Sequence, residues 1–113
     1  MTALKFELKN AKHFEFSGIN GYEYSSKKEF QNANAVLVEV DGRHGKIKSI
    51  LCDRVYFVIK GKGEFVINEE VVPVKKTDVV IVPKNIPYDF RGKMRMLLVD
   101  TPAFEKGCDV KLE

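Results

Sequence analysis

The sequence predicts an all-β protein, and three observations carry that prediction. Turn-forming residues interrupt the chain about every 8 to 12 residues, a spacing typical of β-sandwiches and barrels. Between the turns lie short runs of alternating residues, most clearly at residues 34–41, where Val36, Val38 and Val40 share one face. Residues 27–33 are the one segment with room for a helical turn.

The predicted strands follow one another along the whole chain. The run at residues 78–82 contains four consecutive apolar residues and ends at Pro83. We expect turns at Asp41-Gly42, Gly61-Lys62-Gly63, residues 68–70 and Gly92. The expected strands cover residues 4–8, 13–16, 22–25, 34–41, 46–51, 54–60, 64–68, 71–74, 78–82, 86–90 and 94–100, and an extended tail covers residues 104–113.

Length and composition predict one globular domain over residues 1–113. The chain has a formal net charge of +3, and 31% of its residues are charged, an ordinary soluble mixture. No apolar run approaches the roughly 18 residues that span a bilayer, and the start of the chain does not resemble a signal peptide. We therefore expect a cytoplasmic protein without a membrane partner, in which Cys52 and Cys108 are free thiols.

The composition argues against two further classes of function. A zinc site built from Cys and His needs about four ligands. The chain offers only His13, His44, Cys52 and Cys108, at spacings that match no common zinc motif. The net charge is too small to indicate a nucleic-acid surface, and no phosphate-binding glycine loop or dinucleotide fingerprint is present. We therefore expect neither a cofactor nor a nucleic-acid partner.

Two stretches of the chain resemble the two motifs of the cupin superfamily, in particular its small single-domain members. Residues 55–65, Val-Tyr-Phe-Val-Ile-Lys-Gly-Lys-Gly-Glu-Phe, resemble the end of the first motif. Residues 76–88, Lys-Thr-Asp-Val-Val-Ile-Val-Pro-Lys-Asn-Ile-Pro-Tyr, resemble the second motif, with Asn85 in place of its glycine. Asn tolerates the positive φ of such a turn. The matched core covers about residues 42–100 in the order and spacing of the family motifs.

The resemblance implies a cupin double-stranded β-helix, a jelly-roll-like barrel that is usually a homodimer. The short apolar strands predicted at residues 4–8 and 13–16 could extend the sheet edge of a second copy. Metal-binding cupins use two His and one Glu from the first motif and one His from the second. Those positions fall here at Lys48, Ile50, Arg54 and Tyr88, and a shift of one residue near Lys48 does not restore a His. We therefore predict a metal-independent cupin.

We expect Lys48, Arg54, Tyr56 and Tyr88 to face the barrel interior and to bind a ligand. An Arg side chain can grip a carboxylate or phosphate with two parallel hydrogen bonds, whereas Lys adds a point charge. A Tyr hydroxyl can donate a further hydrogen bond. A buried cation is costly without an anionic partner, and this partner can belong to a ligand or to the protein.

Two interpretations of the buried cation stay open. Arg54 either holds an anionic or sugar-like ligand or pairs with a carboxylate such as Glu39 or Asp100 and seals the barrel. Residues 43–62 contain six basic side chains and one acidic side chain, and such a field can steer an anion towards a pocket. Lys side chains that point outwards from strands would give the same count and merely protect sheet edges.

His44 and Tyr88 are the candidates for catalysis. His44 lies in a glycine-flanked loop before the first motif, and its imidazole titrates near neutrality, so it is either a general base or an exposed turn residue. Tyr88 is the candidate acid. We expect Cys52 to be a small buried side chain, although a cation at Arg54 could activate its thiol, and His13 to be structural or at the surface.

The preferred function is therefore a metal-independent cupin barrel that binds a small anionic or sugar-like ligand. One alternative is an enzyme that resembles the metal-independent sugar-nucleotide epimerases and isomerases of the superfamily, which use a His base and a Tyr acid. The first motif has no His for that role, so only His44 could take it. Another alternative is a structural dimerisation domain with a filled barrel.

Overall fold

The computed structural model describes residues 4–113, which form nine strands after one short 3-10 helix at Leu8–Asn10. Strand β5 and strand β8 are the longest, with 15 and 14 residues. The strands are β1 (Lys12–Phe16), β2 (Ile19–Glu23), β3 (Asn34–Arg43), β4 (Ile47–Ser49), β5 (Asp53–Ile67), β6 (Glu70–Lys75), β7 (Val79–Val82), β8 (Tyr88–Thr101) and β9 (Asp109–Lys111).

All of these strands join one curled antiparallel sheet in which β8 occupies the centre. Strand β8 pairs with β3 along one edge and with β5 along the other, and the outer strands extend the sheet from these three. On one side β2 and β1 follow β3, and on the other side β6 and β7 pair with β5. The curled all-β architecture confirms the predicted cupin barrel.

The core follows the two-residue alternation of the strands. In β7 the side chains of Val80 and Val82 are buried, whereas those of Val79 and Ile81 are exposed. The chain itself therefore covers only one face of this apolar run. Inside the barrel the buried cluster combines aliphatic side chains from several strands with the rings of Tyr56, Phe65, Tyr88 and Phe90.

Three glycines lie side by side where the central strands bend. Gly42 of β3 pairs with Gly92 of β8, which in turn pairs with Gly63 of β5. Gly42 and Gly92 have φ angles of +135° and +138°, which L-residues with a side chain rarely adopt. A Cβ atom on Gly92 would lie 2.5 Å from the Cα atom of Gly63. The close approach of the three backbones therefore requires glycine.

The structure confirms most of the predicted strands and corrects the prediction at five places. Turns were predicted at Asp41-Gly42, Gly61-Lys62-Gly63 and Gly92, but all three lie inside long strands that bend instead of reversing. Residues 4–7 form no strand, and residues 8–10 form the 3-10 helix. Residues 27–33 contain no helix, although the Ser26 carbonyl accepts bonds from the amides of Glu29 and Phe30.

Two predicted turns are confirmed by backbone conformation. Asn68 and Glu69, with φ angles of +47° and +73°, form the tight turn between β5 and β6. Asn85 has a φ of +68°, as expected for the residue that replaces the motif glycine. In residues 4–113 there is no helix with the length and apolar character that a membrane crossing requires.

Substitution of Gly92 by Ala is expected to destabilise the fold by about 3 kcal/mol, because the new Cβ meets the backbone of β5 and strains a left-handed φ. The atoms in its way are the Cα of Gly63 and the carbonyl oxygen of Lys62, at 2.7 Å. Gly107→Ala is the matched control, since Gly107 also has a positive φ but has no atom within 4 Å of an added Cβ. Urea unfolding of the two variants measures the difference, and equal losses would show that φ alone matters.

Candidate functional site

A cavity of about 360 Å³ lies inside the barrel and is lined by aromatic rings together with aliphatic and charged side chains. This volume falls in the range of small-molecule pockets. Residues from β1, β2, β3, β5, β8 and β9 contribute to the wall, together with the loop that carries His44. The rings that line the cavity are those of Phe14, Phe16, His44, Tyr56, Tyr88, Phe90 and Phe104.

A buried arginine forms the polar end of this cavity. Arg54 is 4% exposed, and its Nε donates to Asp100 Oδ1 at 2.7 Å. Its Nη2 lies 2.8 Å from Asp109 Oδ1, and its Nη1 donates to the hydroxyl of Tyr88 at 2.9 Å. Two carboxylates therefore neutralise the guanidinium, as a buried cation requires. The internal carboxylate that the sequence analysis considered is Asp100, and Asp109 from β9 is added to it.

The two tyrosine hydroxyls complete this network. The Oη atoms of Tyr56 and Tyr88 lie 2.7 Å apart. Their mutual hydrogen bond uses one of the two hydroxyl protons, so the second proton remains available for a ligand. Burial raises the pKa of both phenols, and at Tyr88 the Arg54 guanidinium opposes that rise. Both side chains are therefore protonated at neutral pH, and Arg54 stabilises the phenolate that Tyr88 would form.

His44 is held against the cavity as a neutral imidazole. Its ring lies 4.5 Å from Phe90 and 6.0 Å from Tyr88, measured between centroids. Burial lowers the pKa of His44, so the ring is uncharged at neutral pH. Its Nδ1 lies 2.8 Å from the carbonyl oxygen of Gly45. Because a carbonyl only accepts hydrogen bonds, Nδ1 carries the proton and Nε2 has the lone pair of a base.

The loop around His44 is fixed by Asp89. One carboxylate oxygen of Asp89 accepts from the amides of Gly45 and Phe90, each at 2.8 Å. The other oxygen accepts from Nε of Arg43 at 2.6 Å. The His44 amide also donates to the Phe90 carbonyl at 2.9 Å. These bonds tie the loop to β8 and hold the imidazole in one place.

Lys12 and Glu23 add one charge of each sign to the cavity wall. They are directly opposite each other on β1 and β2. Burial raises the pKa of Glu23, and Lys12 partly offsets this effect. Phe14 and Phe16 of β1 also line the cavity. This side of the wall is therefore formed by β1, which corresponds to the strand predicted at residues 13–16.

The structure brings Arg54, Tyr56 and Tyr88 together as expected, with His44 beside them. The predicted place of Lys48 is wrong. In β4 the buried side chains are Ile47 and Ser49, so the alternation of the strand directs Lys48 to the opposite face, and it does not line this cavity. A shift of one residue selects Ile47 and Ser49, which are buried but do not line this cavity either.

The remaining candidates lie apart from the cavity. Cys52 is fully buried, and burial raises the pKa of its thiol to about 12, which leaves it unreactive at neutral pH. Cys108 is also buried, and both thiols are free. His13 is exposed, stacks on Tyr22 and shares a hydrogen bond with Asn20.

Several residues of the site were not singled out from the sequence. Phe14 and Phe16 alternate along β1 with Lys12, and this pattern was a usable signal. Asp89 and Asp109 carried no such signal, because their partners Arg43 and Arg54 lie far away in the chain. Only the closed barrel reveals that Asp109 contacts Arg54.

The donor set of this cavity does not fit a metal ion. Arg54 and Tyr88 occupy two of the positions that carry ligands in metal-binding cupins, and Arg54 is a cation. Among residues 4–113, no three His, Cys, Asp or Glu side chains are grouped so that they could hold a metal.

The fold and this cavity together define a cupin barrel with an aromatic pocket. The chain belongs to the cupin superfamily. Over its whole length it superposes on 93% of a Tyr-to-Phe variant of Streptomyces PAC13 with uridine, with a TM-score of 0.91 and 30% identity. No protein-family model matches the sequence, and a search of curated proteins finds no match.

Two more solved structures are similar to this chain. A structure of Pac13, described as a nucleoside dehydratase, has a TM-score of 0.91 and 28% identity, with 99% of this chain and 92% of that chain covered. Oxalate decarboxylase from Bacillus subtilis has a TM-score of 0.86 and 17% identity. That alignment covers 99% of this chain and 32% of the longer decarboxylase chain, and at this identity the likeness concerns the fold alone.

Substitution of Arg54 by Met is expected to destabilise the protein by about 3–5 kcal/mol, because it leaves the Asp100 carboxylate buried without its cation. The exposed pair of Lys27 and Glu105, also joined at 2.7 Å, supplies the control. Lys27→Met should change the unfolding free energy little, since water and salt screen that pair. Denaturant unfolding compares the two variants. A small and equal effect would mean that Arg54 is not required to hold the barrel together.

Proposed function

We propose that the barrel binds a nucleoside of the uridine type and eliminates water from its sugar without a metal. One observation carries the proposal. The PAC13 structures with uridine are variants in which one His is changed to Gln or one of two Tyr is changed to Phe. The cavity described here contains one His and two Tyr, namely His44, Tyr56 and Tyr88. The same residue types therefore surround a cavity in the same fold.

The shape and chemistry of the cavity support a flat, uncharged ligand. Phe14, Phe16 and Phe90 offer rings on which a nucleobase can stack. The free hydroxyl proton of the tyrosine pair suits a sugar oxygen. Because Asp100 and Asp109 already neutralise Arg54, an anionic ligand is not needed to balance the charge. We therefore prefer a nucleoside to the anion considered from the sequence, and the open cavity argues against a filled structural barrel.

The elimination can be assigned to two side chains. Nε2 of His44 takes a proton from a sugar carbon, and the electron pair of that C–H bond forms the new double bond. The bond from the neighbouring carbon to its hydroxyl oxygen breaks, and this oxygen leaves as water after it receives the proton of Tyr88. Arg54 stabilises the resulting phenolate, at 2.9 Å from the Tyr88 oxygen. Exchange with solvent returns the proton from His44 to Tyr88.

Wild-type protein is expected to bind uridine and to dehydrate nucleosides whose sugar carries a carbonyl group, which makes the neighbouring C–H bond acidic. His44→Gln should lower the rate by roughly 10²–10⁴-fold while uridine still binds. Because burial lowers the pKa of His44 below its usual value, the base stays neutral through the ordinary titration range of His, and the rate should fall only at more acidic pH. Calorimetry measures binding, and mass spectrometry detects the loss of one water.

His13→Gln and Tyr22→Phe are the matched controls, because both side chains lie outside the cavity. They should leave binding and rate unchanged. Absence of uridine binding by the wild-type protein would overturn the nucleoside assignment. Retention of the full rate by His44→Gln would leave binding intact as a function but would remove His44 as the base.

We further propose that the protein is a homodimer that pairs through the outer face of β5 and β7. Phe57 is opposite Val79 and Val55 is opposite Ile81, so their side chains share that face. Val79 and Ile81 are 57% and 62% exposed, and an exposed apolar sheet face of this kind typically marks an interface. The family resemblance supports a second copy as the occupant.

Ile81→Glu is expected to convert the dimer to a monomer, because the charge would be buried in an apolar contact. Ile50→Glu is the control, since Ile50 is also more than half exposed, at 53%, but lies outside β5 and β7. Light scattering coupled to gel filtration gives the mass of each variant. A monomeric wild-type protein, or a dimer that survives Ile81→Glu, would contradict this interface.

A further inference from the structure

Four basic side chains form a compact group on the outside of the barrel, which we call the cationic block. It consists of Lys60 and Lys62 on β5 and of Lys93 and Arg95 on β8. Lys60 is paired with Arg95, and Lys62 with Lys93, in the register of the two strands. Like charges are therefore directly opposite each other twice in succession, and the block measures about 5 by 7 Å at the level of the Cβ atoms.

The chain neutralises this block only in part, since Glu39 and Asp41 on β3 lie opposite Arg95 and Lys93. Like charges opposite each other on neighbouring strands destabilise a sheet. In the part of the chain that the structure describes, none of the four side chains forms an ion pair within 4.0 Å. Two residues further along the same strands the pairing is different, because Arg91 is opposite Glu64 and forms an ion pair with it.

The block lines a surface groove of about 990 Å³ between β3, β5 and β8. Two carboxylates, Glu39 and Asp41, also line this groove, so the four cations exceed the acids by two. A β-bulge interrupts the pairing of β5 and β8 between Val58 and Lys60. Bulges redirect side chains and are common beside functional sites. The groove shares no lining residue with the aromatic cavity.

Arg95 provides an independent observation. Its Nε atom is buried and has no hydrogen-bond partner among residues 4–113. An unsatisfied buried donor is costly, and such groups in a native protein call for a specific explanation. Glu39 on β3 lies opposite Arg95, but within the described part of the chain no ion pair joins these two side chains. The charge of Arg95 is therefore not paired within the described residues, and an anion in the groove would balance it.

We propose that the cationic block binds an oligophosphate, a chain of two or more phosphate groups that is either free or part of a nucleotide. Four cations on two strands match a ligand that carries several negative charges along a short chain. Lys gives each phosphate a point charge, and Arg can hold two of its oxygens at once. A single carboxylate or phosphate would leave most of the block unpaired.

The proposal predicts opposite effects of one double variant on binding and on stability. Lys62→Gln combined with Lys93→Gln should weaken the binding of inorganic tripolyphosphate at least tenfold. In the absence of the anion, and at low salt, the same variant should melt at the same temperature as the wild type or at a higher one, because a repulsive pair has been removed. If Lys62 and Lys93 served only to stabilise the fold, the double variant would melt at a lower temperature than the wild type.

The test titrates tripolyphosphate, pyrophosphate and orthophosphate into the wild type, with sulfate at matched ionic strength, and measures Kd by calorimetry. Tripolyphosphate should bind at least tenfold more tightly than orthophosphate. A nucleoside triphosphate that binds as well as tripolyphosphate assigns the site to a free phosphate chain, whereas tighter binding assigns it to a nucleotide. Circular dichroism of the double variant checks that the barrel remains intact.

Lys28→Gln combined with Lys106→Gln removes the same charge from two exposed positions outside the block. This control should bind tripolyphosphate like the wild type. The proposal is overturned if tripolyphosphate binds no better than sulfate at the same ionic strength. It is also overturned if the control loses as much affinity as the double variant, since the binding would then reflect net charge alone.

Discussion

The buried charge of Arg54 is the constraint on which the interior of this protein depends. A guanidinium that is 4% exposed must be neutralised from within, and the acids that do so come from two separate elements. Asp100 belongs to β8, and Asp109 belongs to the short strand β9. The charge therefore fixes the last part of the chain against the barrel. It also orients Tyr88, whose hydroxyl accepts a bond from the same guanidinium.

This arrangement explains how the barrel keeps a cavity instead of a filled core. Arg54, its two carboxylates and the tyrosine hydroxyls are held to one another by hydrogen bonds at one end, and one hydroxyl proton stays free for a ligand. The aromatic rings at the other end are large and rigid, and they leave space between their faces. His44 lies where the two regions meet, since its ring contacts Phe90 while its pKa responds to both burial and Asp89. The cavity therefore combines an apolar wall with a polar end that can direct a proton.

The sequence predicted the fold from its alternation and from the two motif stretches, and it predicted Arg54, Tyr56 and Tyr88 because strand parity and the motif positions relate them. It failed where the outcome depended on distant parts of the chain. Gly92 was predicted as a turn because glycine permits both a reversal and a bend, and only the neighbouring strands decide between them. Lys48 was placed one residue out of register, which moves a side chain to the opposite face. Asp109 could not be assigned, since no local pattern links it to Arg54.

The bend at Gly42, Gly63 and Gly92 also brings distant residues of the site together. Tyr88 and Asp100 belong to the same strand and are twelve residues apart, so a straight strand would separate them by roughly 40 Å. Both nevertheless contact Arg54. Strand β8 therefore curves around the barrel, and the Arg54 guanidinium contacts residues at both of its ends. The curvature of β8 thus sets the position of the Tyr88 hydroxyl, and that curvature depends on Gly92, which has no side chain.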